Sequence, residues 1–423
     1  MGVFIGSIPN NTEEDVKLAK DILNGTVRTK NARKNLERKF QDIFPKKDIF
    51  LFNKGREAMH FLFQSIPLQK DDEVILQGFT CIAVVAPILW SKAKPVFVDM
   101  KRETFNIDLE KLKEVITPKT KVIIVQHTFG NLVNMEEVRK IVDEENNKRE
   151  DNKKIFLLED YAHLFDSTNK DLGKYSDAFF FSFAQDKAIS STQGALLVMN
   201  NSYKKLENNL VEKYEEVDEM LEKDALYNAK YITLWDRIKR YYFIVDIPFL
   251  KFSIGKLLLV IYRLFGLIKK QASSSSTEFE GTYKLSDVQA KLLDQQLERV
   301  EEFNEHRRNI SKIYTEGLKE GFKFNKEEIE GSSILLRYPV LLQNPEQVRE
   351  ELRKIKVISG RWYSTPVFPI STENLHTVGY EKGSCTEAEF CCRNIINLPT
   401  NIEVTEDIAR NIVWIVNSVG KEI

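Results

Sequence analysis

The stretch from Ile155 to Ala195, IFLLEDYAHLFDSTNKDLGKYSDAFFFSFAQDKAISSTQGA, constrains the fold more than any other part of this chain. It holds two short apolar runs, IFLL and AFFF. Runs of this length suit buried strands and are too short for globular helices. Each ends abruptly in polar residues: Glu159 and Asp160 close the first, Ser182 follows the second, and Lys187 comes five residues later. The expected class is α/β with a mainly parallel central sheet. In open sheets of that kind ligands sit at the carboxyl ends of the strands. A carboxylate, a hydroxyl and an amine are therefore expected on one rim.

Few chemistries need an acid and an amine at neighbouring strand ends with a hydroxyl beside them. Pyridoxal phosphate catalysis is one: a lysine forms a Schiff base with the cofactor aldehyde, and a carboxylate pairs with the protonated pyridine nitrogen. Asp160 is the expected partner of that nitrogen, keeping the ring an electron sink. Lys187 is the expected Schiff-base lysine and, once released, the proton carrier. The competing reading is an ordinary ion pair at a sheet edge, where charged residues are common.

Further segments lie along the chain in a recognisable order: GREAMHFL from Gly55, KPVFVDM from Lys94, FNIDLEKLKEVITPKTKVIIVQHTFG from Phe105, DYAH from Asp160, SFAQDK ending at Lys187, YKLSDVQAKLLDQQLERV from Tyr283 and GSCTEAEFCCRNIINLPT from Gly383. Together they resemble the DegT/DnrJ/EryC1/StrS family of sugar aminotransferases, and the likeness covers nearly the whole chain. The resemblance implies the type I fold of pyridoxal phosphate transferases, with a large cofactor domain over 1–242 and a smaller α+β domain over 278–423. It also implies amination of a keto sugar, a nucleotide-linked one, with an amino acid donor such as glutamate, in a homodimer with shared active sites.

By the same resemblance, Gly55, Arg56 and Ser182 hold the cofactor phosphate, Thr282 reaches it from the neighbouring subunit, and His163 approaches the ring hydroxyl. Cys81 stands where relatives place an aromatic that stacks on the ring, and Arg361, Trp362 and Tyr363 stand where substrate contacts are expected. Dehydratases of the family carry histidine at the lysine position, so Lys187 argues against that branch. Arg56, Cys81, Thr282 and Gln193 depart from the family pattern, as does Lys284 at its arginine position. The departures at 56, 81, 193 and 282 support the rival reading, a non-catalytic relative acting as a binding or regulatory module.

Composition narrows the partners. Sixty-two basic and 63 acidic residues leave a net charge of −1, so no global field draws the chain to nucleic acid. Cys81, Cys385, Cys391 and Cys392 lack metal-ligand spacing, and the first residues lack the apolar core of a signal peptide, which points to the cytoplasm and to no metal. His127, at the end of an apolar run, reads as a packing residue.

An insert over 243–277 is the most apolar window, yet Lys251, Lys256 and Arg263 interrupt it. No uncharged run approaches the roughly 20 residues that a spanning helix needs. On a helical wheel Lys256, Arg263 and Lys270 share one side, bordered by Lys251 and Lys269, while Leu257, Val260, Ile261, Leu264, Phe265, Leu267 and Ile268 take the other. That pattern fits docking on another subunit, a cover over the active site, or peripheral contact through 249–270 with the inner face of a membrane. Ser273 to Ser276 read as a flexible tether.

Overall fold

A computed structural model describes residues 2–6, 8–66, 68–200, 204–244, 253–268, 278–324 and 334–423. Its centre is a seven-stranded sheet. In chain order the strands are β1 (Asp48–Phe52), β2 (Glu73–Gln77), β3 (Lys94–Val98), β4 (Thr120–Gln126), β5 (Phe156–Asp160), β6 (Ala178–Ser182) and β7 (Ala195–Met199). They lie side by side as β1-β7-β6-β5-β4-β2-β3, and β7 alone runs antiparallel to its neighbours. The fold is α/β with a mostly parallel sheet, as the two apolar runs require.

Side chains alternate between the two faces of a strand, and here both faces are buried. Phe156 and Leu158 of β5, Phe180 of β6 and Leu197 of β7 enter one apolar cluster, together with the helix Gly55–Ser65. Leu157 packs on the other face, as do Phe179, Phe181, Leu196 and Val198. The register sets Gln126 opposite Asp160 and Asp160 opposite Phe180 at the carboxyl ends. By alternation, Gln126, Asp160 and Ser182 project on the face that carries the helix Gly55–Ser65.

The C-terminal part is α+β. Strand Arg337–Leu341 pairs antiparallel with Ile395–Pro399, and the helices Val300–Gly317, Pro345–Lys354 and Glu406–Val419 accompany them. Two short parallel pairings tie this part to earlier segments: Val3–Phe4 with Val357–Ile358, and Thr80–Cys81 with Val367–Phe368.

Within the insert the described residues form the helix Ile254–Leu264, whose first turn is closed by Ser253 Oγ accepting from the Lys256 N–H (3.2 Å). It rests on the helix Glu222–Tyr241, which also packs against Glu13–Leu23. Lys251, Lys269, Lys270 and the serine run lie outside the described residues. Among the described residues no helix is long and apolar enough to cross a membrane.

The loop after β4 depends on one glycine. Gly130 has φ +94°, and a Cβ there would lie 2.1 Å from the Ile334 carbonyl oxygen. Left-handed backbone costs an L-residue about 1–2 kcal/mol, and the clash adds to it. Gly130→Ala is expected to lower the thermal denaturation midpoint by several degrees, a loss of about 2 kcal/mol or more; an unchanged midpoint would contradict this packing.

Candidate active site

The rim is assembled from three strand ends and one helix start. At Gly55 an added Cβ would meet only Phe180 at 3.6 Å and Ser182 Cβ at 3.8 Å, so the helix begins directly against the end of β6. The N–H groups of Gly55 and Arg56 find no acceptor among the described residues. Exposed amides at a helix N-terminus favour an anion such as phosphate. Around them, Lys54 pairs with Glu280 (3.0 Å) and Glu57 (3.4 Å), and Arg56 lies 3.8 Å from Glu280. The stretch containing Thr282 is held beside this helix start: the Tyr283 N–H donates to Glu57 (3.1 Å), and its carbonyl accepts from the Asn53 N–H (2.9 Å). Lys284 is turned elsewhere, its Nζ donating to the Glu215 carbonyl at 3.1 Å.

Asp160 is buried. Its Oδ1 accepts from the Ala162 N–H at 2.8 Å, and the carboxylate has no other hydrogen-bond partner among the described residues. Burial pushes its pKa up to about 6, against the opposing pull of the Ala162 N–H and the positive charge of Lys187. The Lys187 charge also acts on Cys81, His163 and Asp186. One amine therefore stands within electrostatic reach of all four groups.

The backbone of Lys187 is clamped from two directions. Asn10 Nδ2 donates to the carbonyls of Lys187 and Ala188, both at 2.9 Å, and Arg307 donates to the Ala188 carbonyl at 2.6 Å. His163 Nδ1 accepts from the Phe129 N–H at 3.0 Å. The proton of the neutral ring is thereby placed on Nε2, which lies 3.3 Å from the Tyr363 hydroxyl. Burial, followed by the charges of Lys187 and Arg337, holds the His163 pKa well below its ordinary value. Cys81 is half-buried beside Thr80, whose hydroxyl donates to Gln126 at 2.8 Å; burial pushes its thiol pKa up, so the thiol stays protonated. His127 is a packing residue, with Nδ1 accepting from Val133 (3.1 Å) and Nε2 against Glu159 (3.0 Å).

The three residues expected to touch substrate part company. Tyr363 is brought to the site through His163. Trp362 reaches it only through Arg337, whose guanidinium lies 3.8 Å from the centre of the indole ring. Arg361 is not brought in: its guanidinium donates to the carbonyls of Cys392 (2.9 Å), Arg393 (2.7 Å) and Ile395 (3.2 Å) and to Glu346 (2.9 Å). These carbonyls lie at the C-terminal end of the helix Thr386–Asn394, which attracts cations.

Sequence reasoning missed Arg337 and Asp186. Arg337 is 1% exposed and donates to Asp186 at 2.7 Å, and its charge acts on His163 and Tyr363. Two signals were available: an arginine heading an apolar strand, and an acid adjoining Lys187. Asn10 carries no such signal.

Taken as a whole, residues 9–215 and 256–417 match the DegT/DnrJ/EryC1/StrS aminotransferase family. The chain belongs to that family. Among curated relatives, GDP-perosamine synthase of Escherichia coli O157:H7 is 24% identical over 402 residues, covering 92% of this chain and 91% of that protein. Among solved structures, PseC of Helicobacter pylori, an aminotransferase involved in the biosynthesis of pseudoaminic acid, superposes with a TM-score of 0.70 at 20% identity over 98% of both chains. Spr1654 of Streptococcus pneumoniae, solved in a pyridoxal phosphate form, gives 0.68 at 19% identity over 99% and 98%. Membership in the DegT/DnrJ/EryC1/StrS family carries transamination as the enzyme class and pyridoxal phosphate as the cofactor.

The raised Asp160 pKa has a definite sign. The buried carboxylate destabilises the cofactor-free fold when ionised, so its cost is absent below about pH 3.8, grows as pH rises, and is complete above about 6. Two pH units at about 1.4 kcal/mol each give about 3 kcal/mol. Cofactor-free Asp160→Asn is therefore expected to denature at a higher temperature than wild type at neutral pH, with the gap closing near about pH 4. A gap independent of pH would refute the assignment.

Proposed function

We propose that this protein transfers an amino group from an amino acid, such as glutamate, to a nucleotide-linked keto sugar, with Lys187 and Asp160 carrying the chemistry. The observation that supports this most is the electrostatic reach of Lys187 over Asp160, Cys81 and His163 at one rim. The residues fit the cofactor: Asp160 keeps carboxylate capacity unused, and the helix start at Gly55 keeps its amides unused. When bound, pyridoxal phosphate supplies an electron sink for the carbon that loses its proton.

The chain's own residues would do the rest. The amides of Gly55 and Arg56, the Arg56 guanidinium and the Ser182 hydroxyl would hold the phosphate, with Thr282 adding a hydroxyl at the same end, and in a homodimer the partner's equivalent segment would complete it. Asp160, oriented by Ala162, would be drawn into its ionised form by the ring nitrogen opposite it. His163, neutral and protonated on Nε2, would donate to the ring hydroxyl. Lys187 would attach to the cofactor aldehyde and, when released, carry the proton between the substrate carbon and the cofactor. Tyr363 walls this space, and Trp362 stiffens the Arg337 that borders it. Four unpaired thiols among the described residues accord with a reducing cytoplasm.

With added pyridoxal phosphate the purified protein is expected to turn yellow, to bleach with borohydride, and to lose both properties in Lys187→Ala. Asp160→Ala is expected to lower transamination of keto sugars by about 100-fold or more. Colourless protein that ignores the cofactor would favour a regulatory module instead.

A further inference from the structure

The insert helix exposes a face that the fold itself leaves uncovered. Its inner side is fixed by Gly255, where a Cβ would lie 2.5 Å from Tyr242 Cα and 2.6 Å from the Ile238 carbonyl oxygen, so only glycine lets the two helices approach this closely. Tyr262 is buried on the same side, with Leu258 and Leu259 packed beside it. That contact sets the rotation of the helix. Ile254, Leu257, Val260 and Leu264 then face outward, and Phe265 follows at the helix end; Leu264 is 80% and Phe265 75% exposed. At about 100° per residue, Lys256 and Arg263 run along one edge of this stripe.

Charge identifies the occupant. From Ile247 to Thr277 the chain has five basic residues, Lys251, Lys256, Arg263, Lys269 and Lys270, and no acidic one, although acidic residues number 63 of 423 overall. A second copy of a nearly neutral chain offers no matching field. An anionic bilayer does, since it takes bulky apolar side chains into its interface and holds basic residues at its headgroups. We propose that the outward face of Ile254–Phe265 docks this protein on the surface of a membrane containing anionic lipid, lying on the bilayer without crossing it.

Sedimentation of the full-length protein with vesicles tests this without reference to catalysis. Binding is expected to phosphatidylcholine vesicles carrying about one-third phosphatidylglycerol, and to weaken several-fold when that lipid is omitted or salt is raised to about 0.5 M. Leu264→Ser with Phe265→Ser is expected to weaken binding at least about ten-fold with thermal stability unchanged, because both side chains already face solvent. Arg263→Gln with Lys269→Gln and Lys270→Gln is expected to remove the dependence on anionic lipid. Wild type that stays in the supernatant overturns the proposal, as does a serine double variant that binds as wild type does. If wild type ignores vesicles and the serine variant has a smaller mass by analytical ultracentrifugation, the face is an interface between copies.

Discussion

A carboxylate withdrawn from water at the end of a parallel strand carries a cost, and the surroundings of Asp160 are arranged around it. Its burial follows from the register that sets it between Gln126 and Phe180, with helices over both faces of the sheet. One backbone N–H and the positive charge of Lys187 offset the penalty without cancelling it, which leaves the pKa at about 6. An acid in that range changes protonation with what is brought near it. Among the described residues no cation hydrogen-bonds to it.

The remaining groups answer the same field. Burial and the two nearby cations keep His163 neutral, so it can donate from Nε2. Asp186, between Lys187 and Arg337, is held below the ordinary carboxylate range and stays ionised despite its burial. Lys187 and Arg337 thus both act on Asp186, and Arg337 hydrogen-bonds to it at 2.7 Å. The backbone clamp on Lys187 fixes where its flexible stem starts, leaving the amine free to move along it.

Much of this was legible in the sequence because strand ends are local. The apolar runs before Asp160 and Ser182 gave both strands and set these residues on one rim, while their common face came from the register. Asn10 was not legible, and Arg337 only as an arginine heading an apolar strand, because the two reach the Lys187 loop by tertiary approach from 177 and 151 residues away. Arg361 drew attention through its aromatic neighbours, yet the carbonyls at a helix end compete for a guanidinium as strongly as a ligand does. The insert was legible as a helix with two unlike sides. Which side turns inward was decided by one glycine, since backbone contact at Gly255 overrides the count of apolar residues.

Residues 3–6 and 8–10 also tie distant parts of the molecule together. They reach across to Val357–Ile358 by strand pairing and to Lys187 through Asn10, so one short segment braces the Lys187 loop and the C-terminal part at once. With Arg337 holding Asp186 beside it, that loop is gripped by segments far apart along the chain, and no single stretch of sequence makes a finished place for a cofactor.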